Sequence, residues 1–202
     1  MRRHDEIELS RAVSAFLRQQ LDRVLETPDW DREDKLLVDV IEPILRYFAM
    51  DEAVRARNEL LRSRQEGGLF DRIWVWATKY TYELVGGING NTRKRLATAI
   101  ADFVSATETM GTLREAVADI FTPERAQLIA VTEVTRAYSA GGEAAADELR
   151  ATGLEIIERW NTLNDGSVCS ECASKNGETI GPDGDRPPLH PGCRCGTSRE
   201  IA

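Results

Sequence analysis

Apolar residues recur at helical spacing through the first two thirds of the chain. In "EIELSRAVSAFLRQQLDRVL", Ile7, Leu9, Val13, Phe16, Leu17, Leu21, Val24 and Leu25 form one stripe, which predicts an amphipathic helix. "TPDWDRED" interrupts it with Pro28 and a group of acids suited to a turn and a new helix start. The pattern resumes in "DKLLVDVIEPILRYFAM", where Pro43 predicts a kink or a break. "DEAVRARNELLRSRQEGG" then predicts a more polar helix that stops at Gly67 and Gly68.

"LFDRIWVWATKYTYELVGG" gathers Phe70, Trp74, Trp76, Tyr80 and Tyr82. Periodicity does not separate a buried helix from a strand here. Core aromatics are the favoured reading, and an exposed patch would instead mark a partner site. "GGINGN", residues 86–91, predicts an internal boundary, with the next helix capped by Asn91 or Thr92. A shorter helix is expected in "TLREAVADIF". The following helix has a clear start, with Thr122 as N-cap, Pro123 in the first turn and Glu124 near the positive end. "GEAAADELRATG" predicts a further helix closed by Gly153.

After Gly153 the pattern changes. "LEIIERWNTL" carries Ile156, Ile157 and Trp160 and predicts a strand, and "NDGS" predicts a turn. The remainder is rich in glycine and proline and has too few large apolar residues to form a core alone. The expected fold is therefore mainly α with a small C-terminal α+β part. It divides into a helical region at 1–85 and a second unit at 86–202.

Charge narrows the function classes. A net charge of −8 argues against a general nucleic-acid binder, which carries a basic footprint. No apolar run reaches the roughly 20 residues that span a bilayer, and the N-terminus lacks the apolar core of a secretory signal. A reducing cytoplasm is the expected setting, where clustered cysteines are more often metal ligands than disulfides.

All four cysteines and one of the two histidines fall in the last sixth of the chain, as C-x2-C-x17-H-x2-C-x-C. Cys169 and Cys172 can offer two thiolates from one tight turn. His190, Cys193 and Cys195 offer three donors for the remaining corners of a tetrahedron. Thiolate and imidazole suit zinc, held by four of the five donors in a closed structural site. Alternatives stay open: disulfides, a redox pair without its usual βαβ setting, or a catalytic zinc with Asp165 or Glu171 nearby. His190 can also be read as a buried hydrogen-bonding histidine.

"PERAQLIAVTEVTRAYSAG", "ERWNTLNDGSVCSECASKNGETI" and "PPLHPGCRC" together resemble the phage Mu F-like, or phage head-morphogenesis, minor capsid family. The matching positions include Arg125, Ala126, Ile129, Ala130, Thr132, Glu133, Arg136, Ala137, Trp160, Asp165, Gly177 and the five cysteine and histidine donors. Pro191 and Arg194 match as well. The resemblance covers about residues 90–197. Gly192 stands where the family often has asparagine, and Val131 where arginine is common. Relatives with histidine in place of Cys172 exchange one metal donor for another, which favours zinc over a disulfide.

The resemblance implies a minor head protein of a tailed phage or prophage, without enzymatic activity. It would act in head assembly or the handling of packaged DNA, inside the virion, after synthesis in the bacterial cytoplasm. The implied partners are the portal and other head proteins, at few copies per particle, with no membrane. The 1–85 helices would contact portal or capsid. Thr132, Glu133, Arg136, Trp160 and Asp165 would be structural, with Glu133 and Arg136 set against the cysteine loop. Two rivals remain. One is a metal-dependent hydrolase or nuclease that uses Asp165. The other is a DNA-binding module, which needs Arg93, Lys94, Arg95, Arg186 and Arg194 to converge on one face.

Overall fold

The computed structural model describes residues 2–61, 69–106, 115–163, 166–181 and 183–202. Four long helices precede a small sheet: α1 (Arg2–Glu26), α2 (Trp30–Leu61), α3 (Leu69–Ala106) and α4 (Pro123–Ala151). A 3-10 turn at Ala118–Phe121 leads into α4. After α4 come β1 (Ile156–Asn161), the short helix α5 (Ser170–Ser174), β2 (Thr179–Ile180) and β3 (Gly196–Ile201). The sheet is antiparallel in the order β2-β1-β3. No helix of the described residues is long and apolar enough to cross a membrane.

The predicted stripes become the core except at Ile7, which is 44% exposed while Asp5 and Glu6 beside it are buried. Leu9, Val13 and Leu17 of α1 meet Leu37, Ile41 and Leu45 of α2, while α4 contributes mainly alanines, Ala126, Ala130 and Ala137. Such small side chains let α1 and α2 lie close against α4. The turn in "TPDWDRED" forms as expected: Asp29 Oδ1 accepts from the Arg32 amide at 3.0 Å. A two-pronged pair from Arg23 to the buried Glu33, at 2.6 and 2.7 Å, fastens α1 to α2 across it.

Four expected interruptions are absent. The helix α2 runs through Pro43 without a break and takes in the polar segment predicted as a separate helix. Its stop at Gly67 and Gly68 lies outside the described residues. Pro43 removes one backbone donor, but Ile41, Leu45, Phe48 and Ala49 are buried on either side of it and hold the helical register. The helix α3 likewise crosses "GGINGN" unbroken, and neither Asn91 nor Thr92 starts a new helix.

Asn89 explains that continuity. It is 1% exposed, accepts from Gln20 of α1 at 2.8 Å and donates to Asp34 of α2 at 2.7 Å. Arg125 of α4 then donates to Thr92 Oγ1 at 2.9 Å and to the Ile88 carbonyl at 3.2 Å. Tertiary contacts thus outweigh the glycine preference for turns.

The fourth interruption, at Gly141 and Gly142, is also absent, and α4 is one helix. A Cβ on Gly141 would lie 2.1 Å from the Ala49 carbonyl oxygen of α2. Here glycine serves close helix approach. The start and stop signals of α4 hold: Thr122 accepts from the Arg125 amide at 3.2 Å, and Gly153, at φ +90°, closes the helix by donating to the Arg150 carbonyl at 2.9 Å.

The aromatics of α3 divide. Trp76 and Tyr80 are half-buried, packed on the core and stacked with centroids 5.4 Å apart. Trp74 and Tyr82 are exposed, at 46% and 65%, so the core reading fails for them. The covered side of α3 carries Ile73, Ala77, Val85 and Ile88, and Trp74 and Tyr82 lie off it. In "TLREAVADIF", residues 115–117 are helical ahead of the 3-10 turn, and residues 112–114 lie outside the described residues.

Candidate metal centre

The strand β1 organises the site by alternation. Ile156, Glu158 and Trp160 point to the buried face, and Trp160 is 1% exposed against Cys172, Cys193 and Cys195. Pairing of Asn161 with Gly196 in β3 places Cys195 beside that tryptophan. On the opposite edge, the Gly177 amide donates to the Trp160 carbonyl at 2.7 Å, with Gly177 at φ +83°.

Cys169 and Cys172 come from the start of α5. Cys169 is the N-cap, its Sγ accepting from the Cys172 amide at 3.4 Å, so both thiols end on one side of the turn. The "HPGCRC" loop is held over them by α4. The Gly192 amide donates to Thr132 Oγ1 at 2.9 Å, and Thr135 Oγ1 donates to the Cys193 carbonyl at 2.7 Å. Gly192 has φ +78°, a conformation that glycine and asparagine tolerate best.

All five predicted donors are therefore brought together. His190 Nε2 lies 3.2 Å from Cys169 Sγ and 3.4 Å from Cys172 Sγ, and Cys172 Sγ lies 3.8 Å from Cys193 Sγ. They form two triads, Cys169–Cys172–His190 and Cys172–Cys193–Cys195, that share Cys172. Bond lengths to zinc imply tetrahedral edges of about 3.8 Å between sulfurs and about 3.5 Å between sulfur and nitrogen. The donor spacing fits such an ion. It does not fit a disulfide, which needs sulfurs about 2.05 Å apart, and all four cysteines are free thiols.

The histidine is set up for ligation. Its Nδ1 lies 2.9 Å from the Pro191 carbonyl oxygen, the partner for an Nδ1–H donor, which leaves the Nε2 lone pair facing the thiols. That carbonyl, and then Cys169, raise the His190 pKa against the effect of burial. The Cys172 amide, helped by His190, lowers the Cys169 pKa. Burial, followed by neighbouring thiols, raises Cys172 and Cys195. A bound cation would favour the thiolate form of these thiols.

Glu133 and Arg136 sit elsewhere than expected. Buried Glu133 accepts from Tyr80 of α3 at 2.5 Å and has Arg136 at 3.6 Å, so the pair joins α4 to α3 rather than to the cysteine loop. Thr132 and its neighbour Thr135 take the loop instead. Asp165 lies outside the described residues. Among the described residues that line the small cavity at the cluster, none is acidic.

The basic face that DNA binding required does not form. Arg93 stacks over Trp30 at 5.0 Å, Arg95 pairs with Asp119 at 2.5 Å, and Arg194 pairs with Glu6 at 3.1 Å. Arg186 turns inward to Glu158 at 3.1 Å and Glu143 at 3.2 Å. Acidic or aromatic partners take four of the five cations in separate places.

Sequence reasoning missed Glu158. Its side chain is fully buried and is met by Arg150 at 2.7 Å, Arg186 at 3.1 Å and Arg199 at 3.1 Å. Burial opposes ionisation, but the three guanidiniums, led by Arg199, outweigh it and hold the carboxyl below its usual range. The signal was present: in "IIERWN" the acid occupies the same alternate positions as Ile156 and Trp160. A strand that buries those two must bury Glu158 and supply cations to it.

No curated protein and no solved structure matches the chain significantly. A family profile described as Phage Mu protein F like protein matches residues 81–198, from within α3 to β3. With that match over more than half of its length, the chain belongs to the Phage Mu protein F like family.

Proposed function

We propose that the chain is a minor head protein of a tailed phage or prophage, associated with the portal and acting in head assembly or in handling packaged DNA. The observation that carries this reading is the family match over residues 81–198, a family of head-morphogenesis proteins. The role is non-enzymatic. A structural zinc, held by Cys172 with three of Cys169, His190, Cys193 and Cys195, ties the C-terminal segment to α4. The helices of 1–85 make the contact with portal or capsid, and the exposed Trp74, Val75 and Tyr82 of α3 belong to that region.

The test is sedimentation of heads. The tagged chain is expressed with its phage or prophage, heads are banded on a gradient, and mass spectrometry asks which proteins co-migrate. The expected result is this chain with portal protein at a few copies per particle. Absence of the chain from every particle overturns the reading.

A further inference from the structure

We infer that the metal-binding loop is also a clasp on the N-terminal helix, so that metal occupancy decides whether the first turns of α1 stay docked. The inference rests on the zinc reading above. Arg194 stands between Cys193 and Cys195, and its guanidinium reaches across to Glu6 of α1, Nε to Oε1 at 3.3 Å and Nη2 to Oε2 at 3.1 Å. Glu6 is 3% exposed, and Arg194 is the cation it pairs with among the described residues. The same loop is bound to α4 through Thr132 and Thr135. Beside Glu6, Asp5 accepts from Tyr138 of α4 at 2.6 Å. The loop therefore bridges α1 and α4 at one point.

With Cys193 and Cys195 drawn to a metal, the backbone on both sides of Arg194 is fixed and the guanidinium is held at the carboxylate. Without the metal, the buried thiols lose the cation that gathers them and the loop loosens. Glu6 is then a buried charge without its counter-ion, and such a charge must reach water. It sits near the start of a helix, where opening involves the fewest broken contacts. Leu9 and Val13, both fully buried, lie one and two turns further along the same stripe and become the apolar surface offered when those turns open.

The experiment is hydrogen exchange by mass spectrometry on the full chain, with zinc measured by elemental analysis in each sample. Residues 2–12 are followed against residues 36–48 of α2. Removal of zinc by a chelator is expected to speed exchange in 2–12 about tenfold or more while 36–48 is unchanged. Arg194→Gln is expected to keep its zinc and show the faster exchange with zinc bound. Glu6→Gln, which leaves no charge to hydrate, is expected to blunt the response to chelator. If zinc leaves and 2–12 stays protected, or if both segments open together, the clasp is overturned. A chain that takes up no zinc overturns the metal reading itself, and the coupling with it.

Discussion

A methyl group on Gly142 would lie 2.0 Å from Nη1 of Arg199. The missing side chain on α4 is what admits that guanidinium to Glu158. Arg199 is itself 5% exposed and has little room to retreat. Gly142→Ala is therefore expected to destabilise the fold by roughly 2–4 kcal/mol, although alanine is the better helix former. Gly141→Ala, which would meet the Ala49 carbonyl, should cost about as much. Gly86→Ala faces open space within α3 and should stabilise by about 0.5–1 kcal/mol. Urea midpoints of the three variants check the contrast, and similar values for all three would refute it.

Glu158 makes the fold sensitive to acid. Its folded pKa is depressed, so its contribution is complete above the unfolded value near 4.3 and is lost as pH falls through the lower, folded one. Glu158→Gln removes the charge that three arginines share, and should cost roughly 3–5 kcal/mol at neutral pH. Its stability should then vary less with pH below about 4 than that of the wild type. Denaturant titrations at several pH values measure both effects.

Glu133 behaves in the opposite sense. Burial raises its pKa despite Tyr80 and Arg136, so the cost of its charge is full above the folded value and is relieved as pH falls through it. Glu133→Gln should therefore gain stability relative to wild type at pH 7 and lose that advantage towards about pH 4.3. A constant difference across this window would show that Glu133 is not strained by its burial.

Cys172 belongs to both triads, and the other thiols to one each. Elemental analysis of protein purified without chelator should find about one zinc per chain. Cys172→Ser should abolish uptake together with stability of the C-terminal segment. Cys193→Ser keeps the Cys169–Cys172–His190 triad and should weaken binding without abolishing it.

Thr135→Val keeps the shape of the side chain but leaves the Cys193 carbonyl without its donor, a loss of about 1–3 kcal/mol. Zinc should dissociate faster from this variant in a competition assay with a chromogenic chelator. An unchanged rate would mean that α4 does not position the loop.

Periodicity and spacing made much of this legible. The apolar stripes of α1 and α2, the Thr122 cap, the strand at Ile156 and the five cluster donors all follow from local chemistry. Helix continuity did not, because the local preferences of glycine and proline favour turns and breaks where tertiary contacts keep the helix. Asn89, bonded to both α1 and α2, and Gly141, pressed against Ala49, are decided by residues far along the chain. The place of Glu133 was not legible for a related reason. Its charge and spacing identify a pair with Arg136 but carry no information about Tyr80, which is 53 positions away. Glu158 is different, since alternation along β1 already required it to be buried.

The contact between Glu6 and Arg194 also orders events in time. The two residues are 188 positions apart. At 5–20 residues per second, a ribosome reaches Arg194 roughly 10–40 s after Glu6. Throughout that interval α1 can pair with α2, but its opening turns have no cation to hold them. The docking of the first turns of α1 thus waits for Arg194, and a chain whose translation stops before that residue cannot make it.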